Sequence, residues 1–153
     1  MNPRAVSPIG FLSVPYRDPD PTVQRWRADV AANFTAELIE LGFDVFSPIS
    51  HGTAIATSRP DVQDREWLRH GIAVLSNCSY LILLALPGAE RSEGVEHELA
   101  FAERAGIPVV VADCRALEYS GNGVCSPDEV PTIGIAAGSL TGKVEALLNQ
   151  RDS

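Results

Sequence analysis

The chain has 153 residues, 45% hydrophobic and 21% charged, which predicts a single soluble domain with a core of useful size. A formal net charge of −8 argues against nucleic-acid backbone or anionic membrane surface as the main partner. The apolar runs are too short to span a bilayer, and the start Met1-Asn-Pro-Arg-Ala-Val-Ser-Pro8 lacks an apolar signal core.

Ile9-Gly-Phe-Leu-Ser-Val14 reads as a first strand, stopped by the loop Pro15-Tyr-Arg-Asp-Pro-Asp-Pro21. Asp20 before Pro21 is an N-cap with proline at the first helical position. The helix runs to about Leu41, with Val30, Phe34, Leu38 and Leu41 on one face and Gly42 closing it. Phe43–Phe46 is a second strand, ending in Ser47-Pro-Ile-Ser-His51. Residues 52–60, rich in Thr, Ser, Ala and Gly, read as a loop, and Val62–Leu75 as a helix with Trp67 and Leu68 inward. Tyr80–Leu86 is a third strand, Gly94–Ala105 a helix capped by Gly106, and Ile107–Ala112 a fourth strand. A short strand at Thr132–Ala136 and a last helix at Leu140–Gln150 complete the pattern. Alternation of strand and helix predicts an α/β fold: one doubly wound, flavodoxin- or Rossmann-like parallel sheet of about five strands flanked by helices. Its core covers about 9–112, and residues 113–153 form a C-terminal segment.

On that topology the ends of the first three strands meet at the edge where open α/β sheets bind ligands. Tyr16 and Arg17, the segment Ser47–His51, and Gly88–Glu98 then surround one crevice. Arg17 is a fork donor suited to phosphate or carboxylate. Ser92 and the backbone N–H groups of Gly94 and Val95 open a helix, a ready anion site. Glu98 lies one turn further on. Each has a plainer reading: Glu98 as a surface helix acid, Arg17 as a partner of Asp18 or Asp20, Ser92 as an ordinary cap, Tyr16 as packing. Glu90, Glu93 and Glu96 read as solvated charges favoured by the helix dipole. Trp26 and Trp67 read as core or subunit contacts, and His70 and His97 as pointing away from the site. Cys78, Cys114 and Cys125 form no metal-like spacing and His51 and His97 lack ligand company, so no metal is expected. The odd cysteine count fits reduced thiols and a cytoplasmic location.

Phe11-Leu-Ser-Val-Pro-Tyr-Arg17 and Ser92-x-Gly-Val-x-x-Glu-Leu-Ala-x-Ala102 together resemble the nucleoside 2-deoxyribosyltransferase superfamily over about residues 9–112. The resemblance is nearest to the 2′-deoxynucleoside 5′-monophosphate N-glycosidases and to a related bacterial and phage domain family of unassigned function. It implies that Glu98 is the nucleophile at the anomeric carbon and that Arg17 and Ser92 hold the 5′-phosphate. Tyr16 and neighbouring loop residues, His51 and Gly94 would line the substrate. It also implies a small-molecule nucleotide or nucleoside substrate, no cofactor, and a homodimer or higher homo-oligomer. The family's base-contacting aspartate falls, by spacing from Trp67 and Cys78, on Gly71. Protonation of the leaving base is then left to His51, Asp64, Glu93 or water. The expected function is hydrolysis of the base–sugar bond, or deoxyribosyl transfer, through a glycosyl-Glu98 intermediate with Glu98 ionised at neutral pH. The alternatives are an inactive nucleotide-binding or sensing module, which Gly71 favours, and an interaction domain with an incidental pocket.

Overall fold

The computed structural model describes residues 7–113. Four parallel strands form one sheet in the order β2-β1-β3-β4: β1 (Ile9–Ser13), β2 (Asp44–Phe46), β3 (Tyr80–Ala85) and β4 (Val109–Asp113). Helices α1 (Pro21–Glu40), α2 (Pro48–Ser58), α3 (Asp64–Leu75) and α4 (Glu93–Ala105) connect them. This is the expected Rossmann-like α/β architecture, with four strands rather than five among the described residues. The expected strand Thr132–Ala136 and helix Leu140–Gln150 lie outside those residues, as do Cys114 and Cys125.

The strands are apolar on both faces because helices cover both. Leu12, Tyr80, Ile82, Leu84, Val110 and Ala112 pack with Trp26, Val30, Ala31, Phe34 and Leu38 of α1. The opposite parity, Phe11 and Leu81, packs with Leu75 of α3 and Ala102 of α4. Each large side chain sealed in this way contributes roughly 1.5–3 kcal/mol of transfer free energy. The chain moves one way from β1 to β2 and then crosses back over β1 to reach β3. The order therefore reverses between β1 and β3, and a crevice opens beyond their C-terminal ends.

Two local expectations are corrected. Residues 52–60 are not a loop: most belong to α2. Ser47 caps that helix by accepting from Ser50 N–H, and Pro48 opens it, the same cap-proline pair that starts α1 at Asp20 and Pro21. Its hydroxyls bond back to the helix, Thr53 to the Ile49 carbonyl and Thr57 to the Thr53 carbonyl. α2 buries none of its residues fully, so the apolar periodicity that reveals a helix in sequence is missing. Leu41, expected on the inward face of α1, is instead its exposed C-cap, because the chain turns away at Gly42 with φ 94°.

Candidate active site

β1 and β3 sit side by side in register, Ser13 opposite Leu83, so the segments leaving them face each other across the crevice. Beyond β3 the chain turns at Gly88, passes a 3₁₀ turn over Ala89–Arg91, and enters α4 at Ser92. The Ser92 hydroxyl accepts from Val95 N–H at 3.3 Å, which starts the helix and aims its N-terminus into the crevice. A cavity of about 720 Å³ fills this space. Its walls come from the β1–α1 loop (Tyr16, Arg17), α2 (Gly52, Thr53), α3 (Asp64, Trp67, His70, Gly71) and the start of α4 (Ser92, Glu93, Gly94, Glu98).

Glu98 lies at the bottom of it, only 9% exposed. Its Oε1 accepts a hydrogen bond of 2.8 Å from the Ser13 hydroxyl. Burial pushes the carboxyl pKa up to about 7, while the Ser13 bond favours the charged form and holds the rise in check. The expectation that Glu98 is simply ionised at neutral pH is thereby corrected: near pH 7 it divides between carboxylate and acid. The other oxygen, Oε2, faces α3. A Cβ placed on Gly71 would stand 4.0 Å from it, so the missing side chain at Gly71 leaves open space beside the carboxylate.

The other expected residues divide. Tyr16, Arg17, Ser92, Gly94, Glu93 and Asp64 all line the cavity. Arg17 and Asp64, however, are engaged with each other in an exposed ion pair between the β1–α1 loop and the start of α3. The Arg17 guanidinium also lies 5.9 Å from the Tyr16 ring centroid, within cation–π range. An anion entering at Arg17 must compete with Asp64. His51 does not line the cavity. It stands behind His70, with the two Nε2 atoms 3.3 Å apart. His70 and His97, expected to point away, both face the cavity, as does Trp67. In each case one helical turn brings neighbouring positions to the same wall: Trp67, His70 and Gly71 on α3, Gly94, His97 and Glu98 on α4.

Three contributors were not foreseen. Ser13 carried a usable signal, since it closes a buried strand on the same parity as Phe11 and so must place its hydroxyl inside. Arg27 sits within the apolar stripe of Trp26, Val30, Ala31 and Phe34, where a charge has to be buried. Its Nη1 donates to the carbonyls of Arg17 at 2.9 Å and Tyr16 at 3.4 Å, and its Nη2 to that of Pro87 at 3.0 Å. The Asp18 carboxylate is 3.8 Å away. Burial pulls the Arg27 pKa below its ordinary value, with Asp18 opposing, and a guanidinium remains charged regardless. Arg27 thus fastens the loop after β1 to the loop after β3. Gly88 makes this possible, because a Cβ there would lie 2.6 Å from Arg27 Nη2. Arg91, exposed at the end of the 3₁₀ turn that precedes α4, adds a cation to the cavity wall.

A buried carboxylate, a helix N-terminus and an aromatic wall around one open cavity can bind a small polar molecule and attack or protonate it. Among the described residues no group of three or more His, Cys, Asp or Glu is arranged to hold a metal, and no helix is long and apolar enough to cross a membrane. No curated protein matches the chain. Residues 8–114, which span the four described strands and every wall of this cavity, match the model of a domain family of unknown function, DUF1937, and the chain belongs to that family.

Proposed function

We propose that the protein is an N-glycosidase that cleaves the base–sugar bond of a nucleoside 5′-monophosphate, or transfers the deoxyribosyl group, with Glu98 as nucleophile. The observation that carries this reading is the buried Glu98, which lines the cavity and is held through Oε1 by Ser13, with Oε2 on the side of Gly71. A carboxylate fixed by one oxygen presents the other to an anomeric carbon, which is the arrangement a retaining glycosidase needs. In the ionised form Glu98 forms an ester bond to C1′ while the C1′–N bond breaks and its electron pair leaves with the base. Water then attacks C1′ and the carboxylate is released. Desolvation raises the energy of the anion in the resting site and so strengthens it as a nucleophile.

Phosphate recognition fits the α4 N-terminus, where the N–H groups of the first turn, Ser92 and Arg91 face the cavity. Arg17 joins them when the incoming phosphate displaces Asp64. Trp67 and Tyr16 offer flat surfaces for a base. The test is incubation of the pure protein with ribo- and deoxyribonucleoside 5′-monophosphates, followed by chromatography for free base, with Glu98→Gln as control. Base released by the wild type and not by the variant supports the glycosidase. A second reading, a nucleotide-binding module without turnover, is favoured by Gly71, which brings no carboxylate to the base. It predicts thermal stabilisation by nucleotides with no base released.

A further inference from the structure

Expulsion of a nucleobase needs a proton on the base, and the position facing Glu98 from α3 is a glycine. The obvious carboxylates serve poorly: Asp64 is largely exposed to solvent at the start of α3, and Glu93 is exposed at the first turn of α4. The residue preceding Gly71 is His70, which lines the same cavity. On the basis of the glycosidase reading above, we propose that His70 protonates the departing base and that His51 is the positioning residue that orients and recharges it.

Four features carry this. The Cβ direction of Gly71 approaches Glu98 Oε2, so α3 passes beside the carboxylate, and His70, adjacent to Gly71 in sequence, lines the same cavity. Trp67, one turn earlier, lines the same wall, its ring centroid 6.4 Å from that of His70 in an edge-on arrangement. A base lying against Trp67 therefore meets the imidazole at its rim. The His51 and His70 rings are 5.4 Å apart between centroids while their Nε2 atoms are 3.3 Å apart, so the two nitrogens face each other. Finally, His51 is held from behind by Phe46, at 5.4 Å between ring centroids.

With Nε2 of His70 turned to His51, Nδ1 is the atom left for the substrate. The C1′–N bond breaks, its electron pair passes to the base, and the proton on His70 Nδ1 moves to the base. The pair begins with one proton shared between its facing Nε2 atoms, a single positive charge, and as His70 Nδ1 loses its proton the shared one settles on His70 Nε2, leaving both rings neutral. When water opens the glycosyl–Glu98 ester, it supplies oxygen to C1′ and returns a proton to the histidine pair. The net reaction consumes one water and releases base and sugar phosphate. Imidazole suits the task because its ordinary pKa lies nearest neutrality among side chains.

The test compares two leaving groups on the full-length protein. One substrate is the nucleoside monophosphate cleaved best by the wild type. The other is 4-nitrophenyl 2-deoxyribofuranoside 5-phosphate, whose phenolate departs without a proton. His70→Phe, which keeps a ring against Trp67, is expected to slow nucleotide cleavage by about 100-fold or more, the usual worth of a general acid, and to leave the first-turnover burst of nitrophenolate, which precedes ester hydrolysis, unchanged. His51→Ala is expected to give a smaller loss with the same selectivity. Equal losses on both substrates, or no loss on the nucleotide, would overturn the assignment. A wild type that cleaves the nitrophenyl glycoside but no nucleotide overturns the proton donor and leaves the role of Glu98 standing. A wild type inert on both overturns the glycosidase reading itself, and the proton donor with it.

Discussion

The Ser13 hydroxyl donates to Glu98 Oε1 at 2.8 Å across 85 residues of sequence, joining the end of β1 to the second turn of α4 inside a desolvated pocket. That bond opposes the effect of burial on the carboxyl, because it is made more strongly to the anion than to the acid. Ser13→Ala should therefore raise the Glu98 pKa further. The acid limb of kcat/KM should move to higher pH, with turnover several-fold slower at pH 7 and recovered at higher pH. A profile that is lowered without moving would mean that Ser13 acts only through packing.

Glu98 carries its own stability signature. Its folded pKa, about 7, lies above the ordinary glutamate value of 4.5, so the folded state holds the proton more tightly than the unfolded chain. The stability from this group is complete below the unfolded value and is lost as pH rises through about 7. Glu98→Gln removes that loss and keeps an acceptor for Ser13. The variant should be inactive, yet more stable than the wild type at pH 8, by an amount of order a few kcal/mol, and close to it at pH 5. Thermal melts at the two pH values measure this; a variant less stable at both would contradict it.

Arg17 and Asp64 should separate binding from stability. Their ion pair is exposed, so breaking it should change stability by less than about 1 kcal/mol. Arg17→Ala should raise KM for 5′-phosphorylated substrates by roughly tenfold, the loss of one charge-assisted bond, with little change in kcat. Asp64→Ala should lower KM for the same substrates by freeing Arg17. Steady-state kinetics with phosphorylated and unphosphorylated substrates decides it: if Asp64→Ala leaves KM for phosphorylated substrates unchanged, the competition between Asp64 and phosphate is absent.

Gly88→Ala and Gly42→Ala form a matched pair. Both glycines have positive φ, 95° and 94°, so both substitutions carry the left-handed strain of roughly 1–2 kcal/mol. At Gly42 the new Cβ meets nothing within 4 Å, whereas at Gly88 it lies 2.6 Å from Arg27 Nη2. Gly88→Ala should therefore lower Tm more than Gly42→Ala, and only Gly88→Ala should impair base release, because it displaces the arginine that fastens the two loops of the site. Equal Tm losses would show that Arg27 moves aside freely.

Much of this arrangement was legible in the residues themselves. Strands of unbroken apolar character, the Asp20-Pro21 start of α1, and the glycines that end α1 and α4 are local signals. They identify a parallel α/β sheet because period and capping depend only on neighbours a few positions away. Ser92 and Glu98 were readable for the same reason, as a helix N-terminus and the turn after it. α2 was not, since it buries no face fully and its small polar residues imitate a loop. What only the tertiary structure decided were the relationships between distant segments: Ser13 with Glu98, Arg17 with Asp64, His51 with His70, and Arg27 with the carbonyls of two loops. Each depends on the order in which strands lie in the sheet and on the rotation of helices about their axes. A carboxyl pKa near 7 follows from the same cause, because the desolvation that raises it comes from elements that meet only once the sheet has formed.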